Sequence, residues 1–481
     1  MQPAVNPRRW TALALIALAQ FIVIADTSII GVALPDIRSD LGFSPEDLSW
    51  VFNAYVIAFG GLLLLGGRLS DLFGAKRLFT VGWAVLAAGS LAAGLADSTG
   101  VEIAARAVQG AGSALIVPSA LTLLMMLFGS NPKELMKAFA VYGAAAPAGG
   151  TAGVFLGGVI TEWASWPWVF FINIPVALIA LALTPRLMPV VPARRGSVDL
   201  VGATLATGGL AALVFAIVRA PEQGWGSTAT IAIGAAGLAA LALFLAVQAD
   251  RREPLMRLGI LRSHNLAAAN IAQVLLGAAW VPMWFFLNLY LQQVLGLGAF
   301  EGGAALLPIT LAIMLGMVVV APRVMVRIGA KPMVVGGLFM LAGGLALLSL
   351  VRANGSFVVD VLPASLVAAE GMALAFIPSL QTAISSARPE EGGLASGIVN
   401  TGYQVGSALG LAAMTALAAA HGAGQLGNTG ALTDGYSAAF LGAAGIAVAG
   451  GLIAAVTLRR PKAPAAEPAS ADEPERELIA A

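Results

Sequence analysis

Long apolar runs, separated by short polar or Pro/Gly-rich breaks, dominate the chain. A helix needs roughly 20 mostly apolar residues to cross the hydrocarbon core of a bilayer. Fourteen runs meet that length, at about 10–34, 48–66, 78–96, 102–128, 135–160, 167–184, 199–218, 228–248, 265–293, 302–321, 333–351, 358–380, 393–418 and 436–458. The first is too long for a removable signal peptide, and it holds Asp26 with no plain small-residue cleavage site after it. Of the 26 Lys and Arg residues, 22 fall in or within a few residues of connecting segments on the same side as the N-terminus. Arg38, Arg219 and Arg352 fall on the other side, and Arg106 lies inside the fourth run. Cytoplasmic segments carry such an excess, and one missed helix would invert everything after it. The pattern therefore predicts an all-α integral membrane protein with fourteen transmembrane helices and both termini cytoplasmic.

Composition narrows the function. Of 481 residues, 59% are apolar and 11% charged, against about 25% charged in a soluble domain. Water cannot cover so apolar a surface, whereas a bilayer can. A cytosolic enzyme, a disulfide scaffold (the chain has 0 Cys) and a disordered regulator are excluded. The net charge of +1 offers no basic surface for nucleic acid. With no Cys and 2 His, metal chemistry lacks ligands, so neither a metal nor a cofactor is expected. The glycines of GAGSA at 110–114 form no nucleotide loop, since they lie within a span, follow no strand and lack a phosphate-binding Lys.

An internal repeat divides the chain. GGRLSDLFGAKR (66–77) follows the second run and APRVMVRIGAKP (321–332) the tenth, aligned at an offset of 255. Transporters build two such halves around a central site. The second copy falls two spans later than a twelve-helix duplication requires. The expected organisation is a six-helix half at 1–190, an inserted transmembrane hairpin with its linkers at 191–262, a second six-helix half at 263–460 and a tail at 461–481. The tail is rich in Ala, Pro and Glu and reads as disordered.

The first copy of the repeat resembles the signature loop of the major facilitator superfamily. ADTSIIGVALPDI (25–37), WVFNAY (50–55), RAVQGAGSA (106–114), WPWVFFINIP (166–175) and ASGIVNTGYQVGSALG (395–410) are similar, in order, to motifs of its fourteen-span drug:proton antiporter branch. Two positions depart: Val154 stands where the fifth-helix motif usually has Pro, and Gly31 where the first-helix motif usually has Asn. The resemblance implies the major facilitator fold and a non-enzymatic, proton-coupled efflux transporter. Its partners would be amphipathic, cationic drugs or toxic metabolites, protons and membrane lipids. It would work as a monomer in a bacterial inner membrane. A dedicated exporter of one metabolite, or a facilitator with no essential proton step, is the alternative.

Ionisable groups inside a membrane are costly, roughly 2.5–3.5 kcal/mol each near the centre, and so each needs a reason. Asp26 and Arg106 fall at similar depth in the half of the membrane away from the N-terminus. Desolvation and a guanidinium pull a carboxyl's proton affinity in opposite senses, which suits a proton-coupling site. The alternative for Asp26 is a cap at a break in the first span; for Arg106 it is a structural pair or snorkelling. Glu370 has no counter-charge in its own span. It is a second proton site, a cation contact, or a neutral acid bonded to a neighbouring helix.

In the signature loop, Gly67, Arg68, Asp71, Gly74, Lys76 and Arg77 are the candidate cytoplasmic gate. Asp71 can face loop cations or the start of the helix near Gly392. Gly143, Pro147, Gly149, Gly150, Gly153, Gly157 and Gly158 give the fifth span close-packing spacing, read as a hinge or as plain packing. Candidate cavity residues are Gln20, Asn53, Tyr55, Gln109, Asn270, Gln273, Trp284, Asn288, Tyr290, Phe376, Asn400, Tyr403 and Gln404. Scattered polar groups and aromatic faces suit amphipathic cations.

Overall fold

A computed structural model describes residues 8–43, 48, 50–189, 199–251, 259–260, 263–388, 391–425 and 427–459. The predicted tail and most of the linkers flanking the hairpin lie outside these residues. The described residues are mostly helical: α1 (Arg9–Leu41), α2 (Trp50–Phe73), α3 (Ala75–Gly94), α4 (Thr99–Phe128) and α5 (Pro132–Trp163), then α6 (Trp168–Leu187). The inserted pair is α7 (Leu200–Gln223) and α8 (Thr228–Asp250). There follow α9 (His264–Val294), α10 (Glu301–Ile328), α11 (Ala330–Leu348), α12 (Phe357–Ser385) and α13 (Gly392–Ala423), and α14 (Thr429–Thr457).

Thirteen helices among the described residues are long and apolar enough to cross a membrane. The exception is α7, whose apolar stretch Val201–Ile217 is shorter. Helix ends run past the predicted spans because a composition window stops at the first polar residue, whereas backbone hydrogen bonding does not. So α14 starts at Thr429 rather than 436, under an Asn428 side chain that accepts from the Ala431 amide. Likewise α1 continues unbroken from Arg9 to Leu41. The predicted alternative of a cap at a break near Asp26 therefore has no break to act on.

Successive helices are antiparallel. The ends of α2, α4 and α6 share one face with the starts of α1, α3 and α5; this basic face also holds the start of α9 and the end of α14. There the His264 ring lies 2.6 Å from the Thr457 carbonyl and the Arg459 amide donates to Asn265 Oδ1 at 3.0 Å. The first and last described helices thus begin and end on the same face.

Helices α1–α6 pack as one group and α9–α14 as another. The two meet along α2–α13 and α5–α10. The pair α7–α8 stands outside both: α7 leans on α2 and α13, and α8 packs chiefly on α7. Asp199 starts α7, accepting from the Gly202 amide at 2.9 Å and from Gln248 Nε2 of α8 at 2.7 Å. Burial pushes the Asp199 carboxyl up, but these donors and Arg251, at 3.7 Å, hold it below its ordinary value. In the second group, α9, α10, α12 and α13 each contain a π-helical turn; the described parts of α1–α6 contain none.

Candidate functional site

Five helices converge on one carboxylate. Asp26 of α1 is buried, and its Oδ2 lies 2.7 Å from Arg106 Nη1 of α4, itself fully buried. The other oxygen accepts from Asn173 Nδ2 of α6 at 2.6 Å and from Gln109 Nε2 at 3.2 Å. Gln109, one turn after Arg106, takes a second bond from Arg106 Nη1 at 2.7 Å through Oε1 and donates to Ser90 Oγ of α3 at 2.8 Å. From α2, the Val51 carbonyl accepts Arg106 Nε at 2.8 Å and the Tyr55 ring lies 4.7 Å from the guanidinium carbon. Tyr55 OH in turn lies 2.7 Å from Ser113 Oγ.

This is what a buried charge pair requires: taking ions from water costs several kcal/mol each, repaid only when the geometry is good and the remaining lone pairs are bonded. On the face opposite the basic one, Ile37, Phe43, Trp166, Val169 and Phe170 form an apolar cluster over the network. Trp166 Nε1 donates to Asp40 Oδ2 at 2.7 Å, tying the end of α1 to the α5–α6 loop.

Sequence reading found Asp26, Arg106, Gln109 and Tyr55 but not Ser90, Ser113 or Asn173. Asn173 lies inside the segment WPWVFFINIP and Ser113 inside RAVQGAGSA, both of which carried the resemblance; Ser90 is a single small polar residue with no local signal. Glu102 is missing from the candidates too, because the fourth apolar run begins there. It is in fact inside α4 and fully buried.

The glycines of α5 separate into two sets. A Cβ on Gly149, Gly153 or Gly157 would meet the carbonyl of Phe21, Ala25 or Ile29 at 2.3, 2.7 and 2.9 Å. These three, four residues apart, let the backbones of α1 and α5 touch. They join helices of the same half, beside Asp26, rather than hinging one half on the other. Gly150 has only ordinary contacts and Gly158 has open space. Gly143 alone among them faces the second half, against Ile377 and Met317. Pro147 lies within the same continuous helix, and nearby Thr151 hydrogen-bonds Thr310 of α10.

On the basic face the signature loop divides its labour. Asp71 Oδ1 and Oδ2 each accept at 3.0 Å, from the Gly393 and Leu394 amides at the start of α13. The N-cap residue of α13, Glu391, makes no side-chain cap bond, so Asp71 caps this helix from the other half. Gly67 permits the approach, since a Cβ there would stand 2.4 Å from the Gly393 carbonyl. Lys76 instead stays within its half, donating to the Pro185 and Met188 carbonyls at 2.8 and 3.0 Å at the end of α6. Gly74 turns the chain at φ 92°, and its repeat partner Gly329 does so at φ 82°. Arg68 is half-buried and Arg77 exposed.

In the second half, Glu370 of α12 is half-buried and has no hydrogen bond or ion pair among the described residues. A Cβ on Gly316, where the π turn of α10 starts, would lie 2.7 Å from Glu370 Oε2. Gln273 Nε2 donates to Ser379 Oγ at 2.9 Å and the Phe376 carbonyl at 3.1 Å, and the Phe376 and Tyr403 rings pack edge to face at 5.7 Å. Trp284 pairs with Trp280, Asn270 lies against Gly402, and Tyr142 OH donates to Gln20. Asn53 and Gln404 are half-buried. Three expected cavity residues are engaged elsewhere. Tyr290 OH donates to the Arg352 carbonyl near the opposite face, Asn288 pairs with Gln292 one turn on, and Asn400 bonds back to the Ser396 carbonyl.

Between the basic-face ends of α1, α5 and α10 a pocket of about 690 Å³ opens, with Lys133, Lys137, Arg323 and Arg327 around apolar Trp10 and Val318. None of the expected cavity residues lines it. On the basic face the seam between the halves is thus bridged along α2–α13 and parted only at the ends of α5 and α10.

Comparison with known proteins adds to this geometry. A family profile described as Major Facilitator Superfamily matches residues 16–411 and 375–481. The chain is 39% identical to the cephamycin export protein of Amycolatopsis lactamdurans, over 90% of this chain and 89% of that one. It is 36% identical to the puromycin resistance protein of Streptomyces alboniger, over 92% and 90%. Among solved structures, the human organic anion transporter MFSD10 superposes with a TM-score of 0.68 at 15% identity, over 93% of this chain and all of that one, a likeness of fold alone.

Proposed function

The chain belongs to the Major Facilitator Superfamily, and we propose that it is a proton-coupled antiporter exporting amphipathic compounds, cationic ones among them, by alternating access. Membership makes it a multi-pass membrane transporter rather than an enzyme. The observation that carries the coupled reading is the Asp26 carboxylate, held by Arg106 within a five-helix polar network.

We assign the basic face to the cytoplasm, because cytoplasmic segments are rich in Lys and Arg. Counting α7 as a crossing gives fourteen: its 24 residues rise roughly 36 Å. The working units are then the halves 1–190 and 263–460, with 191–262 as an appendage. The relatives come from actinobacteria, which fits a bacterial plasma membrane. A monomer in lipid suffices, since each candidate site is built within this one chain.

In this reading a proton neutralises Asp26, loosens its hold on Arg106 and frees α1, α4 and α6 to repack. The Asp71 cap on α13 holds the cytoplasmic face together in one state and is lost in the other. Glu370, without a hydrogen-bond or ion-pair partner among the described residues and facing Gly316 of α10, is the cation contact. One unit charge crossing the membrane is worth about 2.3 kcal/mol per 100 mV, roughly a forty-fold gradient of a neutral cargo.

The names of the two relatives each specify one antibiotic or antibiotic class, which favours a dedicated exporter as the second reading. The test is transport by purified protein in proteoliposomes with an imposed pH gradient, using puromycin and a panel of amphipathic cations. Accumulation that follows the gradient and stops with a protonophore supports antiport; equal movement without any gradient overturns it. Acceptance of a single compound from the panel selects the dedicated exporter. Glu370→Gln should shift preference from cationic toward neutral cargo.

A further inference from the structure

Glu102 is the buried acid that the reading above does not use. It sits in the first turn of α4, one turn before Arg106 and on the same side of the helix. It is fully buried, and neither carboxyl oxygen has a hydrogen-bond partner among the described residues. One nitrogen of the neighbouring guanidinium, Arg106 Nη2, is also buried without a partner. The charged groups that act on Glu102 are Arg106 on its own helix and Asp26 on α1; Asp97, in the turn before α4, is exposed. One guanidinium thus serves two carboxyls and bonds only one of them. Stabilising a helix N-terminus does not explain the burial, because an exposed Glu does that as well. An uncompensated buried carboxylate would cost several kcal/mol, so the second group is accommodated as the neutral acid.

We propose that Glu102 is a proton-binding residue that shares Arg106 with Asp26 and passes protons between the outer face and Asp26. The inference rests on the proton-coupled reading. In the arrangement seen, Asp26 is the carboxylate on Arg106 and Glu102 carries the proton. Transfer breaks the Glu102 O–H bond and forms an O–H bond on Asp26. The Glu102 carboxylate then takes the free Arg106 Nη2, so the charge of the triad is unchanged. Asp26 then releases its proton toward the inner face as water at the outer end of α4 reprotonates Glu102, and the guanidinium returns to the Asp26 carboxylate. A single cation exchanged between two acids moves one proton inward without ever stranding a buried charge.

The test uses the full chain reconstituted in lipid, in two arms. The first is the infrared carbonyl-stretch band of protonated carboxylic acids at neutral pH. Part of that band should be absent in Glu102→Gln. It should also be absent in Asp26→Asn, where Arg106 is left for Glu102 alone. A band unchanged in Glu102→Gln overturns the proposal. The second arm measures proton-driven puromycin transport against external pH. Glu102→Gln should slow the maximal rate at least about tenfold with KM unchanged, and Glu102→Asp should restore part of it with a displaced pH profile. A merely structural neutral Glu102 would lose the band in its own variant but keep it in Asp26→Asn, and would leave the pH profile unmoved. Transport by the wild type that ignores the gradient overturns the antiport reading instead. A gradient-driven wild type matched by Glu102→Gln overturns this one.

Discussion

The two halves share a scaffold and differ in their chemistry. In the first, five regular helices converge on a dense polar network: Asp26, Arg106, Gln109, Asn173 and Ser90 bond one another across four helices, with the fifth contributing the Val51 carbonyl. In the second, Glu370 has no hydrogen-bond or ion-pair partner among the described residues, and four of the helices carry π turns. The repeated loops diverge the same way, with Asp71 capping α13 while its counterpart Val326 is exposed. Duplication preserves what the backbone needs, such as the positive φ at Gly74 and Gly329. It leaves the buried charges free to specialise: a dense network suits a proton switch and a lone acid suits a cargo contact.

The largest expected effect comes from breaking the first network. Asp26→Asn should retain expression and fold yet abolish gradient-driven transport, as measured in proteoliposomes. Undiminished coupled uptake would remove the functional distinction between the halves. Next is the seam that carries Asp26. Gly149→Ala drives a Cβ into the Phe21 carbonyl and should destabilise the protein by about 1–3 kcal/mol. Gly158→Ala, with open space, should leave thermal stability in detergent unchanged, and equal losses would refute the division of those glycines.

Smaller still, Asp71→Ala removes the cap that one half lends the other, worth about 0.5–2 kcal/mol. It should shift the equilibrium toward a parted basic face. The absence of Cys makes paired spin labels at the ends of α2 and α13 a direct measure, and an unchanged distance distribution counts against the latch.

The smallest effect should be confined to the appendage. The Asp199 carboxyl is held below its ordinary value, so it stabilises the start of α7 at neutral pH. That contribution is complete above the unfolded-chain value near 3.9 and fades as pH falls through the lower folded value. Hydrogen exchange at the start of α7 should rise only at strongly acid pH, and earlier onset would contradict the capped geometry.

The existence and type of nearly every helix could be read from the chain alone, because a bilayer allows few ways to bury so many apolar residues. The repeat and the Lys/Arg asymmetry carried the division into halves, and Asp26 and Arg106 stood out because an ion inside an apolar run has no cheap explanation. Their pairing at 2.7 Å is a matter of helix packing. So is the recruitment of Asn173, 147 positions from Asp26, and of Ser90, residues whose small amides and hydroxyls look unremarkable in a string. Sequence spacing also grouped seven residues of α5 together, whereas only packing separates Gly149, Gly153 and Gly157, pressed on α1, from Gly158 in open space. Hydrophobic burial depends on composition summed over a segment, and so is written locally. Hydrogen bonds and close backbone contacts depend on ångström-scale placement of atoms from distant segments, which the tertiary structure alone decides.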